Sequence, residues 1–321
     1  VSGDTPIIEV RSLVKHFAQG RYTGRKVVHA LNGVDIAVRK GETLGIVGET
    51  GCGKSTLVRV MMRLYTPTAG RVYFEGTDIT HLRERRLGFV RRKMQMIFQD
   101  PADSMNSRLT VGYIIEEPLL IQTRMSAAAR REKSLALLRD VGLPEESYAR
   151  YPHEFSGGQR QRIAVARALA VDPEVVVCDE PVSALDVSVQ SQILNLLLEM
   201  QREHALTMIF VSHALSVVRH MSDRVAVLYL GSVMELADSR TIYEAPRHPY
   251  TQALIAAIPR TDPGARKERV FLSGEVPSPI TLPPGCPFYS NCPIHIALCL
   301  EEKPPLRELG DGHFCACHLA R

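Results

Sequence analysis

The chain has 321 residues, 45% apolar and 23% charged, a balance that fits one large or two modest folded domains and excludes disordered, collagen-like and disulfide mini-protein classes. Its 39 basic and 35 acidic residues leave a net charge of +4, which tolerates an anionic ligand without marking a dedicated nucleic-acid binder. Trp is absent, aromatics make up 6%, and no run of 18 apolar residues offers a membrane span. Val1-Ser2-Gly3-Asp4 lacks the basic start and apolar core of a signal peptide, so the sequence reads as cytoplasmic.

Residues 7–39 alternate apolar and polar and predict an antiparallel strand region, with turns at Gly20, Gly24 and Asn32-Gly33. Thr43 to Val47 reads as a short apolar strand running into Gly48-Glu49-Thr50-Gly51-Cys52-Gly53-Lys54-Ser55, with a helix over 55–64. Those eight residues match the phosphate-binding loop pattern in full, between strand and helix. Glycines let successive N–H groups turn inward on phosphate oxygens, and the helix N-terminus adds a favourable dipole. Lys54 would reach the β- and γ-phosphates and Ser55 would ligate Mg²⁺, with Thr56 beside them in the nucleotide-binding set.

Strands are expected at 70–74 and 94–98, and a helical stretch from Thr110 to about Gly142. The basic run Arg83 to Lys93 reads as a solvated helix face. Val175 to Cys178 suits a buried parallel strand ending in Asp179 and Glu180. Asp179 would hold the Mg²⁺ shell and Glu180 would polarise the attacking water. A helix at 187–204 and a buried strand at 207–212 complete an alternation that implies an α/β core with a parallel sheet. Beyond Arg260, Pro263-Gly264, Pro277, Pro279, Pro283-Pro284 and Pro304-Pro305 predict an irregular tail, giving domains at 1–260 and 261–321, with a helical subdomain at about 100–165.

Phe155-Ser156-Gly157-Gly158-Gln159-Arg160-Gln161-Arg162 resembles the signature sequence of ABC-type ATPases, with Phe155 where Leu is commonest. Gln99 follows its strand as the Q-loop glutamine does; Ser183-Ala184-Leu185-Asp186 resembles the D-loop, and His213 the switch histidine. The resemblance implies a P-loop NTPase fold with a parallel-sheet core, an antiparallel β subdomain and an α-helical subdomain. It also implies two such domains sandwiching two ATP molecules, Ser156 to Gln159 facing the γ-phosphate held by the other subunit. Glu180 would be the general base, His213 would bond the γ-phosphate, Gln99 would sense Mg²⁺, and Asp186 would border the nucleotide. Phe17 sits where the family stacks an aromatic on adenine, with Tyr22 as a rival. Cys52 and Cys178 read as small buried residues.

Tyr151 to Ser156, Cys178 to Ser188 and His248-Pro249-Tyr250-Thr251 resemble oligopeptide and dipeptide importer ATPases, closest to the F-type member of their D/F pair. That resemblance implies import of short peptides at the cytoplasmic face of a bacterial plasma membrane. It implies a heterodimer with a D-type ATPase, two transmembrane permease subunits, an extracytoplasmic substrate-binding protein and no nucleic acid. Other solutes (nickel, opines, glutathione) stay open, as does the remoter case of an ABC ATPase acting on DNA or ribosomes.

Cys286, Cys292, Cys299, Cys315 and Cys317 crowd the tail, a pattern that suits metal ligation in a reducing compartment. No C-x2-C knuckle of a structural zinc site is present. The resemblance implies a [4Fe–4S] cluster on Cys286, Cys292, Cys299 and Cys317, with Cys315 competing for the fourth place. Zinc with His295, His313 or His318, and free thiols, are the alternatives.

Overall fold

The computed structural model describes residues 5–19, 26–101, 105–258 and 277–320. In chain order the elements are β1 (Ile8–Gln19), β2 (Lys26–Val38), β3 (Thr43–Val47), α1 (Lys54–Met61), β4 (Ala69–Phe74), β5 (Thr77–Asp78), α2 (Gly88–Lys93) and β6 (Met94–Ile97). They continue with α3 (Val111–Gln122), α4 (Ala127–Asp140), α5 (Gly157–Leu169), β7 (Val175–Asp179), α6 (Val187–Glu203) and β8 (Thr207–Val211). Next come α7 (Leu215–Met221), β9 (Arg224–Tyr229), β10 (Ser232–Asp238), α8 (Ser239–Glu244) and α9 (Pro249–Ala256). The last are α10 (Leu298–Glu301), β11 (Arg307–Glu308) and β12 (Phe314–Cys315). The chain divides into two compact units, one of residues 1–39, 43–81 and 212–321, the other of residues 40–42 and 82–211.

In the first unit β1 pairs antiparallel with β2 and with β4, so Ile8 faces Val38 on one side and Phe74 on the other. Alternation buries Leu31, Val34, Ile36 and Val38 of β2, which is the pattern that makes this stretch a sheet. Asn32-Gly33 does not turn the chain as expected. It lies inside β2, where the register slips between Leu13 and Val14 and Gly33 takes a φ of +78°. The reason is a bulge, which needs the same left-handed residue that a turn would. Gly20, Tyr22 and Gly24 lie outside the described residues.

β3 runs parallel to β9, with all five of its residues buried, and β10 returns antiparallel on β9. The tail then departs from the irregular segment expected of it: β12 pairs with β10, placing Cys315 opposite Glu235, and β11 pairs with β12. The prolines stop at Pro305, and positive φ at Gly310, Asp311 and Gly312 folds the remaining chain back into a hairpin. The boundary expected at 260/261 lies outside the described residues.

In the second unit β6, β7 and β8 form a parallel ladder, with every residue of β7 and β8 buried, as their continuous apolar runs require. The helical stretch expected over 110–142 is two helices. Thr123 turns its hydroxyl back on the Leu119 carbonyl at 2.6 Å, and Ser126 starts α4 by accepting the Ala129 N–H at 3.3 Å. Arg83, Arg85, Arg86 and Arg92 of the basic run are exposed, as a solvated face would be, while Arg91 meets Glu84 at 2.8 Å and Lys93 meets Glu174 at 2.8 Å.

β3 leads into the glycine loop, and its seat against α7 is tight. A Cβ on Gly45 would stand 2.4 Å from Val218 Cγ1 and 2.5 Å from Ser222 Oγ. Gly45→Ala is expected to cost about 2 kcal/mol through overpacking, read as a lower urea midpoint at unchanged m-value.

Candidate functional site

The loop Gly48 to Ser55 joins β3 to α1 in the first unit. Gly48, Gly51 and Gly53 have φ of +150°, +81° and +106°, a region closed to most side chains. Space forbids a replacement as well: a Cβ on Gly48 would lie 2.2 Å from the Leu228 carbonyl oxygen, and one on Gly53 would lie 2.4 Å from that of Ala30. The Gly231 N–H donates to Cys52 O at 2.8 Å and so fixes the loop from below. Lys54 is 4% exposed, and its Nζ donates to the carbonyls of Gly48 at 2.8 Å and Glu49 at 3.0 Å. The ammonium is thus held inside the curve of the loop, the place from which a bound phosphate would be met. Ser55 and Thr56 follow at the start of α1, both half-buried. Cys52 is buried, and that burial pushes its thiol up against the opposing pull of Lys54.

Two further expected residues lie in the same unit. Phe17 is half-buried on β1; its ring meets Tyr65 edge-on at 5.5 Å, with Lys15 Nζ 4.7 Å from the ring centroid. His213 is exposed and follows Ser212, whose hydroxyl accepts the Ala214 N–H at 3.0 Å.

The second unit carries the rest. Gln99 is exposed just beyond β6, and Asp179 ends β7 at 1% exposure. Glu180 has a φ of +50°, uncommon for a residue with a side chain. Its N–H donates to Val211 O at 3.0 Å, and its carbonyl accepts from Ser183 N at 3.3 Å and Ser183 Oγ at 3.1 Å. Gln190 Nε2 ties the following turn by donating to Val182 O and Leu185 O at 3.0 and 2.9 Å. Cys178 is fully buried, which pushes its thiol far up and leaves it inert.

Ser156 caps α5 in a reciprocal box. Its Oγ accepts the Gln159 N–H at 3.3 Å, and Gln159 Oε1 accepts the Ser156 N–H at 3.0 Å. The pair Gly157-Gly158 lets α5 approach the next segment: a Cβ on Gly158 would lie 2.4 Å from Val189 Cγ1, and one on Gly157 would lie 3.2 Å from Leu185 Cδ2. Asp186 caps α6, accepting from Ser188 Oγ at 2.7 Å and Val189 N at 3.0 Å, and these bonds hold its carboxyl below the usual range. The structure therefore brings Ser156 to Gln159 together with Asp186 through two adjoining helix caps.

The tail thiols do not assemble as the expected cluster requires. Among the described residues no group of three or more His, Cys, Asp or Glu side chains is arranged to hold a metal ion. Burial first, and then the neighbouring thiols of Cys299, Cys292 and Cys317, push Cys286 up to about 11; Cys292 is raised in the same way. Cys315 lies apart from Cys286 in these influences and is raised by burial beside Glu235. His295, His313 and His318 bond to Cys292 O, Glu235 and Glu302 O.

One contact at the loop had no signal in the sequence beyond the His248-Pro249-Tyr250-Thr251 resemblance: the Glu49 N–H donates to the Tyr250 hydroxyl at 3.1 Å.

Residues 31–183 match the family described as ABC transporter, and residues 234–299 match the oligopeptide/dipeptide transporter C-terminal region. The chain is 50% identical over 319 residues to the putative oligopeptide transport ATP-binding protein YkfD of Bacillus subtilis, covering 98% of this chain and 96% of that one. It is 48% identical to the dipeptide transport ATP-binding protein DppF of Escherichia coli, covering 97% and 94%. The solved dimeric ATP-binding cassette MJ0796, bound to ADP and Pi, superposes with a TM-score of 0.66 at 31% identity, over 73% of this chain and 99% of that one.

Loss of the α5 cap is measurable. Ser156→Ala is expected to cost about 1 kcal/mol in urea unfolding, while Ser156→Thr keeps most of that stability.

Proposed function

The chain belongs to the ABC transporter family, in the branch with an oligopeptide/dipeptide transporter C-terminal region, and from that membership we propose that it is the ATP-hydrolysing subunit of a short-peptide importer. The observation that carries this reading is the glycine loop closed around Lys54, which sets a buried ammonium inside a curve that suits a triphosphate. Ser55 and Asp179 would hold Mg²⁺, whose charge offsets that developing on the transferred phosphoryl group. Glu180 orients and polarises the attacking water, His213 bonds the γ-phosphate, Gln99 follows the metal shell, and Phe17 stacks on adenine. Ser156 to Gln159 present the start of α5 to the γ-phosphate of a second cassette, a D-type partner, so each ATP is shared between two chains.

No helix among the described residues is long and apolar enough to cross a membrane. From the importer family, the solute path is assigned to two permease subunits, with a substrate-binding protein outside and this chain peripheral on the inner face. The functional division proposed is a nucleotide-binding domain at 1–260 and a C-terminal extension at 261–321. In the tail, the reading of a [4Fe–4S] cluster on Cys286, Cys292, Cys299 and Cys317 rests on the four-thiol donor set of the sequence alone.

ATPase assays on the complete transporter, reconstituted with its binding protein and a panel of short peptides, test the function. Peptides are expected to stimulate turnover; turnover indifferent to all of them moves the substrate to another solute. Glu180→Gln is expected to keep ATP binding and lose at least about 10²-fold in turnover, and Lys54→Ala to weaken binding itself. Anaerobic purification with iron and zinc assay tests the tail: about four irons per chain are expected, and stoichiometric zinc without iron defeats the cluster.

A further inference from the structure

The carbonyls that hold Lys54 belong to Gly48 and Glu49, so the orientation of those two peptides sets the ammonium. The Glu49 amide points away from them and donates to Tyr250 Oη at 3.1 Å. Tyr250 is fully buried, with Tyr229 4.7 Å and Phe288 5.3 Å away between ring centroids. The hydroxyl therefore has little freedom to leave the amide.

What seats Tyr250 is the C-terminal region. Tyr250 lies in the first turn of α9, and its N–H donates to His248 Nδ1 at 3.0 Å. His248 is neutral, burial lowering it to about 3, and its ring also bonds the Ala316 backbone. The Ala316 N–H in turn donates to Met234 O at 2.8 Å. Beside it, Glu235 is 0% exposed and accepts three hydrogen bonds: from Arg247 N at 2.7 Å, His248 N at 3.0 Å and His313 Nε2 at 2.7 Å. The chain of contacts runs unbroken from residues 313–316 through Glu235 and His248 to Tyr250, and from Tyr250 to the loop, all within the first unit.

We propose that Tyr250 is a positioning residue of the phosphate loop, aimed by the Glu235 and His248 clamp so that Gly48 and Glu49 keep their carbonyls on Lys54. The proposal rests on the nucleotide-binding reading of that loop. Tyr250 acts equally on substrate and transition state, since it sets the cradle and touches neither. Its loss weakens uniform binding and raises KM for ATP at unchanged kcat.

The test is steady-state ATPase of the reconstituted transporter as a function of MgATP, with melting temperature measured alongside. Tyr250→Phe keeps the ring and deletes only the hydroxyl, and is expected to raise KM about fivefold, the worth of one neutral hydrogen bond, at wild-type kcat. Glu235→Gln, which loosens the clamp with the hydroxyl intact, is expected to raise KM in the same direction. Tyr243→Phe is the control: its hydroxyl donates to the Leu215 carbonyl, remote in sequence from the loop, and its loss lowers the melting temperature with KM unmoved. A wild-type KM in either Tyr250→Phe or Glu235→Gln overturns the proposal. Failure of the wild-type transporter to respond to MgATP would instead overturn the nucleotide reading itself.

Discussion

A buried ammonium must be given acceptors, and Lys54 takes both of its own from the loop that delivers it to the site. Left unpaired at 4% exposure, such a charge would cost several kcal/mol. The loop must therefore keep two carbonyls turned inward while still curving around the place an anion would take. Only a backbone with left-handed residues on either side satisfies both demands. That requirement explains the positive φ at Gly48, Gly51 and Gly53, and the packing of Leu228 and Ala30 carbonyls where a Cβ would otherwise lie.

The second unit solves a related problem with different means. Glu180 carries a side chain and yet occupies left-handed space, so its neighbours must hold it there. They do so through backbone bonds to Val211 and Ser183, and through Gln190 bracing the turn that follows. The same turn ends in the Asp186 cap of α6, packed against the Ser156 cap of α5 through Gly158 and Val189. Strain at one residue and order in two helix starts are thus parts of a single local structure. A backbone fixed this way narrows the space its side chain can sweep, which is the pre-organisation that the proposed hydrolytic role of Glu180 asks for.

The strongly patterned parts of this fold were legible because their causes are local. The apolar runs of β3, β7 and β8, the glycine spacing of the loop, and the Ser156-to-Gln159 spacing each encode their own geometry. Asn32-Gly33 misleads because turn and bulge ask for the same residue, and only the register of β1 on β2 distinguishes them. The break between α3 and α4 hides in Thr123 and Ser126, ordinary residues whose side chains happen to bond backwards and forwards. The tail strand and the Tyr250 contact were illegible for a stronger reason. They join residues some 80 and 200 positions apart, and nothing in either segment states its partner.

Glu235 shows why such distant contacts bind the C-terminal region firmly to the fold. A carboxylate with no exposure is tolerable only while its oxygens stay hydrogen-bonded, and its three donors come from two separate segments, 247–248 and 313. Removing 247–248 would leave Oε2 unmet, and removing 313 would leave Oε1 with one donor in place of two. Both segments are thus tied to β10 through one carboxylate, and peeling the hairpin of β11 and β12 away would take a donor from the same Oε1 that Arg247 meets just before α9. Because α9 bears the hydroxyl that holds the phosphate loop, the end of the chain and the site near its beginning share one cooperative structure.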